Sequence, residues 1–284
     1  MLMNIKASLK EFLSFKYKKI PWVRLKFNIF FSRLNSKNDK TPADYLAMQK
    51  RQFNIAASVA KVKPGELTGD CVAAVDWEFQ NNFPGYNHNM WVYIPVVETG
   101  AVGLEYGCGP GRNMMYLSTK VKRIDGVDIS EKNLQNAKTY LGEVSSAGQQ
   151  PNLYLTEGDD CGDAPSDTYD FAYSVIVLQH ISVWSIRNNI FKDIYRTLKV
   201  DGVFIAQMGF GKDINNTAAY NDDIYSAGVT NGAFDVCVSD PSQIEKDLTR
   251  IGFTDFSYVI EDVPDEISST FPQFIYFRAK KASL

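Results

Sequence analysis

The stretch Gly103-Leu-Glu-Tyr-Gly-Cys-Gly-Pro-Gly-Arg-Asn113 joins a short apolar run to a segment with helical periodicity. Gly107, Gly109 and Gly111 have no Cβ, so the backbone there can adopt left-handed conformations and a ligand can lie directly against the peptide. Dinucleotide-binding loops read G-x-G-x-x-G, whereas this loop reads Glu105-x-Gly-x-Gly-x-Gly, and an acid ahead of it would repel a pyrophosphate. The pattern predicts a strand, loop and helix that hold a nucleoside cofactor.

Segments with the composition of strands alternate with helical segments from residue 101 onward, which predicts parallel βαβ units. Ile124-Asp-Gly-Val-Asp-Ile-Ser130 is a second strand, and Leu153-Tyr-Leu-Thr-Glu-Gly-Asp-Asp160 is a third strand with an acidic end. Tyr169-Asp-Phe-Ala-Tyr-Ser-Val-Ile-Val-Leu-Gln-His-Ile181 is a fourth strand and its turn. Thr197-Leu-Lys-Val-Asp-Gly-Val-Phe204 is a turn into a fifth strand.

These five segments resemble, in order, the motifs of the class I S-adenosylmethionine-dependent methyltransferases. The resemblance covers roughly residues 100 to 210 and is far more specific than a lone glycine loop. It implies an α/β fold with a Rossmann-like, doubly wound sheet of seven strands, mostly parallel with the last strand antiparallel, and an N-terminal helical extension or lid. It also implies S-adenosyl-L-methionine as cofactor. For the glycine loop alone, a tight turn or a nicotinamide dehydrogenase remains the alternative.

The resemblance assigns cofactor contacts to the carboxyl ends of the strands. Asp128 would bind the ribose hydroxyls, because a carboxylate can accept two hydrogen bonds from a cis-diol. Asp159 or Asp160 would lie near the adenine amino group. A helix cap is the plainer interpretation of Asp128, and a solvated turn that of the acidic pair. The full predicted set is Glu105, Gly107, Cys108, Gly109, Gly111, Arg112, Asn113, Asp128, Ile129, Asp159, Asp160, Ser174 and Gln179.

The two histidines are the candidate catalytic residues, because few other side chains titrate near neutrality. His180 follows the fourth strand at the edge where open α/β sheets bind ligands, and it is either a general base or a scaffold residue. His88, in Tyr-Asn-His-Asn-Met-Trp, would face the acceptor from the lid, with a structural role as the alternative. Ser174 and Gln207-Met-Gly stand where metal-dependent catechol-type enzymes carry acids, so no metal site is predicted.

The resemblance implies in-line methyl transfer, most simply to an oxygen of a small molecule or of a glycan sugar. An N-methyltransferase acting on a small amine is the first alternative, and a catalytically inactive cofactor-binding partner subunit is the second. The Asn/Asp-Pro-Pro-Tyr/Phe motif of base-modifying enzymes is missing after the fourth strand. Nucleic acid is therefore not expected as a partner.

Charge divides the chain into a basic segment and an acidic body. Residues 1–40 hold ten Lys or Arg against two acids, and the total of −3 then leaves −11 for the rest, which disfavours nucleic-acid binding. Two amphipathic helices are predicted in residues 1–40. Their apolar faces either pack on the body or dock onto an anionic membrane surface or a partner protein. No apolar run of membrane-spanning length and no signal-peptide core occur, which predicts a cytoplasmic location, with the inner membrane surface as the alternative.

The remaining organisation follows from the periodicity and the turn residues. Residues 41–99 form a helical and aromatic lid segment, whose helix runs from the N-cap Thr41 to Val62 and is closed by Pro64-Gly65. By the resemblance, residues 100–284 would form the methyltransferase domain. The polar stretch at 209–235 is too long for an ordinary connection, so an insertion over the active site is predicted there. The four scattered cysteines indicate neither a disulfide framework nor a zinc site.

Overall fold

The computed structural model describes residues 41–68, 100–142, 150–212, 214, 217–225, 235–263 and 270–283. The predictions for the basic segment 1–40, for the aromatic part of the lid at 69–99 and for His88 lie outside the described residues. The helices are α1 (Pro42–Ala57), α2 (Arg112–Ser118), α3 (Glu131–Leu141), α4 (Trp184–Thr197) and α5 (Ser242–Ile251). The strands are β1 (Lys61–Lys63), β2 (Glu66–Thr68), β3 (Val102–Tyr106), β4 (Arg123–Asp128), β5 (Leu153–Leu155), β6 (Tyr169–Ser174), β7 (Leu198–Phe210), β8 (Ala218–Ala219), β9 (Val236–Cys237), β10 (Phe253–Asp262) and β11 (Gln273–Lys281).

Seven strands form the central sheet in the order β10-β11-β7-β6-β3-β4-β5. The pairs from β5 to β7 are parallel, and the last strand, β11, is antiparallel to both β7 and β10. The predicted seven-stranded, mostly parallel sheet with an antiparallel last strand is confirmed. From β3 the chain proceeds first towards β4 and β5, and then returns to β6 on the opposite side. The carboxyl ends of β3 and β6 therefore mark the point where the order of winding reverses.

Helices cover both faces of this sheet, as a doubly wound fold requires. On one face, apolar residues of α4 and α5 such as Phe191 and Leu248 pack against Phe204 and Phe277. On the other, residues of α2 and α3 join a second cluster with strand residues of β4, β6 and β7. Because apolar side chains are buried on both faces, each strand is held in place within the sheet. The loops at the carboxyl edge are therefore held in place as well.

The N-terminal helix begins where the sequence predicts and ends earlier. Thr41 is the N-cap of α1, and its hydroxyl and the Asp44 carboxylate form a reciprocal capping box. The predicted end at Val62 is wrong, because Lys61–Lys63 pairs with Glu66–Thr68 as an antiparallel hairpin. Gly65 has a φ of 69° in the turn of this hairpin, so Pro64-Gly65 joins two strands.

Described parts of the predicted insertion run beside the sheet edge. Ala218 and Ala219 pair in parallel with Val236 and Cys237, and a bridge between Phe210 and Val238 brings the two ends of residues 209–235 together. A further bridge joins Val183, just before α4, to Asp223. These contacts place the end of the insertion next to the turn that carries His180.

Candidate active site

The glycine loop leaves β3 at the reversal point of the sheet. Gly107 has a φ of 73°, and a Cβ there would lie 2.3 Å from a methyl carbon of Val177. The loop therefore packs directly on the turn that follows β6, and only glycine fits. Gly111 is the N-cap of α2 with a φ of 88°. Amide groups at this helix start face the same edge of the sheet.

Gly109, at the tip of the loop, meets the steric requirement of a cofactor site. Its φ is 53°, and apart from its chain neighbours no described residue has an atom within 4 Å of the position that a Cβ would occupy. Its N–H donates to Oδ2 of Asp128 at 2.8 Å, so the loop is tied to the end of β4. Bare backbone beside an acidic side chain is the arrangement that suits a nucleoside with a free ribose diol.

Asp128 ends β4 with only 5% of its surface exposed. Its Oδ1 accepts from the N–H of Ser130 at 2.7 Å and from Nδ2 of Asn133 at 3.3 Å. The N-cap of α3 is Ser130, so Asp128 is not the N-cap residue of that helix. Burial raises the pKa of Asp128 from its ordinary value. A carboxylate has about four acceptor positions, and the three protein bonds leave capacity for a ligand hydroxyl.

The acidic pair after β5 divides into two different environments. Oδ1 of Asp160 accepts from Oγ1 of Thr156 at 2.6 Å and from the N–H of Gly162 at 2.9 Å. The half-buried Asp159 carboxylate has no hydrogen bond or ion pair with the described residues. Asp160 therefore shapes the turn, whereas a cofactor contact of Asp159 stays a prediction.

An apolar wall stands beside Asp159. A Cβ on Gly158 would lie 2.7 Å from Cδ1 of Ile129 and 2.9 Å from Cδ2 of Leu46, so both side chains pack against that glycine. Ile129 comes directly after Asp128, and Leu46 belongs to α1. Two apolar side chains next to one carboxylate match the faces and the amino edge of a purine.

Glu105 lies beneath the loop and is 1% exposed. Its carboxylate accepts from Nδ2 of Asn113 at 2.8 Å and from the hydroxyl of Tyr173 at 3.0 Å. Burial, with a smaller contribution from the charge of Asp128, raises the pKa of Glu105 to about 8. These bonds join β3, β6 and α2 directly under the glycine loop.

The other predicted cofactor residues are largely buried in the same region. Cys108 is buried, and burial raises the pKa of its thiol. Ser174 is fully buried, and its hydroxyl donates to the carbonyl of Tyr106 at 3.0 Å. Arg112 is buried at the start of α2, and Oε1 of the buried Gln179 has no partner among the described residues. Direct cofactor contact by these four residues stays a prediction.

His180 forms a contact that local sequence patterns did not predict. Its Nδ1 lies 2.7 Å from Oδ1 of Asp235, at the end of the predicted insertion. The side chains of both residues are partly exposed, at 27% and 18% respectively. Because an ionised carboxylate only accepts hydrogen bonds, Nδ1 is the donor, and Nε2 has no hydrogen bond to any described residue. A carboxylate that orients a histidine in this way is the arrangement of a general base.

The backbone between β6 and His180 is strained at one residue. Ile176 has a φ of 56°, which is an outlier for a β-branched side chain. Its N–H donates to Oε1 of Gln207 at 3.0 Å, which helps to hold this conformation. Strain of this kind clusters at functional sites.

Residues of α1 complete the site and were also missed in the sequence. The hydroxyl of Tyr45 accepts from the N–H of Ser182 at 2.9 Å, and Nε2 of Gln49 donates to the carbonyl of His180 at 3.0 Å. Oδ1 of Asn54 accepts from Oγ of Ser130 at 2.9 Å. The sequence does contain a signal for these contacts, because polar residues on the buried face of an amphipathic helix need hydrogen-bond partners.

Across the described ranges, no helix is long and apolar enough to cross a membrane. Within those same ranges, no group of three or more His, Cys, Asp or Glu side chains could hold a metal ion.

Comparison with known proteins relates part of this chain, and its fold, to methyltransferases. A family model described as a methyltransferase domain matches residues 104–206. YqeM of Bacillus subtilis (strain 168), which has a provisional methyltransferase name, is 27% identical over 136 residues, or 47% of this chain and 52% of YqeM. The chain thus spans about half the length of this curated relative.

Solved structures show the same fold. A chain of the Haloferax volcanii complex between the Trm112 methyltransferase activator and a provisionally named methyltransferase has a TM-score of 0.55 at 13% identity, over 81% of this chain and 98% of that one. An S-adenosylmethionine-dependent methyltransferase of Methanosarcina mazei has a TM-score of 0.53 at 15% identity, over 68% and 98%. Haemonchus contortus phosphoethanolamine N-methyltransferase 2 has a TM-score of 0.52 at 17% identity, over 86% and 61%.

The motif order, the sheet topology and the family model agree. Residues 104–206 match a methyltransferase domain, and the chain shares the fold of solved S-adenosylmethionine-dependent methyltransferases, so the resemblance predicted from the motifs is confirmed.

Proposed function

We propose that this protein binds S-adenosyl-L-methionine and transfers its methyl group to a hydroxyl of a small molecule or of a glycan sugar. The observation that carries the choice of an oxygen acceptor is the 2.7 Å contact between His180 and Asp235. An alcohol must lose a proton as it is methylated, whereas an amine can attack with its own lone pair. A histidine oriented by a carboxylate meets the need of the alcohol.

The residues at the carboxyl edge fit the cofactor. Gly109 offers open backbone, and Asp128 has acceptor capacity for the ribose hydroxyls. Asp159 has no hydrogen bond to the described residues and directly follows Gly158, against which Ile129 and Leu46 pack. The sulfonium centre of the bound cofactor supplies an activated methyl group. The protein therefore has to align the acceptor and exclude water, and alignment can supply roughly 7 to 11 kcal/mol.

His180 supports the proton transfer in this proposal. Donation from Nδ1 to Asp235 fixes the tautomer in which Nε2 accepts. As the oxygen–methyl bond forms and the sulfur–methyl bond breaks, the hydroxyl proton passes to Nε2 of His180. Asp235 stabilises the imidazolium that results and stays ionised.

Turnover measurements with labelled cofactor test this assignment. Screening sugars and small-molecule extracts identifies the acceptor, and His180→Gln and Asp235→Asn are then compared with the wild type. We expect His180→Gln to reduce turnover about 10²- to 10⁴-fold because the base is lost, with S-adenosylhomocysteine affinity intact. His88→Gln is the matched control for the second predicted histidine. Wild-type turnover in His180→Gln would contradict the general-base role.

The same screen separates the alternatives. A methylated amine as product, with turnover insensitive to His180→Gln, would establish an N-methyltransferase. Cofactor binding without product from any acceptor would indicate a cofactor-binding partner subunit.

A further inference from the structure

A fully buried arginine lies on α4, one turn after the segment that carries His180. Arg187 has no exposed surface, and no carboxylate within ion-pair distance of it is found among the described residues. Burial lowers the pKa of its guanidinium, although an arginine stays protonated in proteins. A buried charge without an ion-pair partner is strongly destabilising unless its N–H groups donate hydrogen bonds. The contacts of Arg187 are therefore informative.

Two of its nitrogens bind two separate stretches of backbone. One terminal nitrogen donates to the carbonyl of Ile181, the residue directly after His180. The other donates to the carbonyl of Tyr220, and the guanidinium lies 4.9 Å from the centre of the Tyr220 ring. A planar fork of donors can hold both carbonyls at once, which a single ammonium group cannot do in the same way.

The stretch around Tyr220 is joined to Asp235. The N–H of Ala218 donates to the carbonyl of Asp235 at 2.8 Å, and β8 pairs with β9 immediately beyond. Tyr220 directly follows β8. Arg187 thus connects the backbone beside His180 with the backbone beside Asp235.

Other bonds join the same two segments at a different place. The N–H of Trp184 donates to the carbonyl of Asp222 at 3.0 Å, and the N–H of Ile224 donates to that of Ser182 at 3.2 Å. These bonds attach the far part of the insertion to the start of α4. Arg187 makes the contact nearest to β8. Its acceptor, the Tyr220 carbonyl, lies two residues after Ala218, whose N–H binds the Asp235 carbonyl.

We propose that Arg187 is a positioning residue that holds Asp235 against Nδ1 of His180, and so fixes the histidine tautomer. The inference rests on the proposed function, in which this pair takes up a proton. Arg187 has no hydrogen bond or ion pair with the described side chains of His180 and Asp235, and acts through the carbonyls of Ile181 and Tyr220.

Nitrogen-15 NMR of labelled histidine tests the inference without knowledge of the acceptor. The chain has only two histidines, so His88→Gln assigns the signals of His180. Neutral histidine in water favours the Nε2–H form, whereas donation to Asp235 selects the Nδ1–H form. Two-bond proton–nitrogen correlations at alkaline pH distinguish the two forms. We expect Nδ1–H in the wild type and loss of this preference in Asp235→Asn.

Arg187→Met should shift His180 from mainly Nδ1–H to mainly Nε2–H while S-adenosylhomocysteine affinity is retained. Arg196→Met is the matched control, because Arg196 lies on the same helix and binds Asp193 and the Ala164 carbonyl instead. It should leave the wild-type pattern unchanged. An unchanged pattern in Arg187→Met would overturn the inference.

Arg187→Lys covers the case in which the methionine variant does not fold. It keeps the charge and reaches only one carbonyl, so we expect a mixture of the two tautomers. A wild-type pattern in this variant would also overturn the inference. A wild-type protein in the Nε2–H form would refute the contact of His180 with Asp235 and the inference together. The expected shifts without methyl transfer to any acceptor would support the inference and refute only the proposed function.

Discussion

Asp159 and Asp160 are neighbours of the same chemical type, and the structure gives them different surroundings. Asp160 accepts hydrogen bonds from Thr156 and Gly162 within the turn after β5. Asp159 has no such bond to any described residue and lies beside the apolar wall. Because the two side chains are chemically identical, different effects of substituting them would follow from their positions alone.

Substituting each acid separately tests this difference. Asp159→Ala should weaken S-adenosylhomocysteine binding by about 1 to 3 kcal/mol, because a hydrogen bond to a charged group is lost. Its free energy of unfolding should stay that of the wild type. Asp160→Ala should instead lower the free energy of unfolding by about 1 to 2 kcal/mol, since the donors of the buried Thr156 and the partly buried Gly162 lose an acceptor. Calorimetric titration and urea denaturation measure the two quantities, and the reverse result would exchange the roles.

Glu105 predicts a pH dependence of stability. Burial raises its pKa in the folded protein from 4.5 to about 8, so between these values the folded state binds a proton that the unfolded chain releases. Stability therefore falls as the pH rises from about 4.5 to about 8.

Glu105→Gln should remove this loss, because the amide carries no titrating proton and can still bond to Asn113 and Tyr173. The difference in free energy of unfolding between variant and wild type should grow with pH by roughly 3 to 5 kcal/mol across the window, at about 1.4 kcal/mol per pKa unit. Urea denaturation at several pH values measures it. Parallel pH curves for the two proteins would show that Glu105 is ionised when folded.

At the scale of elements, α1 joins loops that follow two different strands. Tyr45 and Gln49 bind the turn after β6, while Asn54 binds Ser130 after β4. The helix also has an ion pair between Lys50 and Glu157, with 31% and 75% of the side chains exposed, which contributes little. The buried polar contacts therefore fix where α1 lies.

Tyr45→Phe should lower the free energy of unfolding by about 1 to 3 kcal/mol, because the Ser182 N–H loses its acceptor in a buried site. Tyr258→Phe is the control, since 47% of Tyr258 is exposed. Urea denaturation of both variants measures the difference. Equal stabilities would mean that the Tyr45 hydroxyl contributes no net stabilisation.

Local patterns predicted the sheet because glycine spacing, acidic strand ends and alternation of elements are all short-range features. The start of α1 was predictable for the same reason, from Thr41 and Pro42. Its end was not, because the hairpin at Lys61–Lys63 depends on pairing with a later strand. Asp235 was not predictable as the partner of His180 either, since the two are brought together by the pairing of β8 with β9. Contacts between distant residues have no signature in the local periodicity.

At the scale of the whole molecule, the site residues come from α1, from strands of the central sheet and from the loops after them. Cofactor binding should therefore stabilise the whole domain against unfolding. S-adenosylhomocysteine at 100 times its Kd should add about 2.7 kcal/mol to the free energy of unfolding and raise Tm. NAD⁺ and NADP⁺ should leave Tm unchanged, because the loop lacks the pyrophosphate pattern. Differential scanning fluorimetry with each ligand makes the comparison. Stabilisation by a nicotinamide nucleotide alone would favour the dehydrogenase alternative.

The position of Asp235 has a consequence for divergence among related proteins. His180 lies inside the matched span 104–206, whereas Asp235 lies beyond it. Under the proposed function, the glycine loop, Asp128, Asp159 and His180 are encoded in one contiguous block, and the carboxylate that orients the base is encoded in another. Recombination or drift in the second block could therefore change which compounds are methylated while the first block is inherited intact.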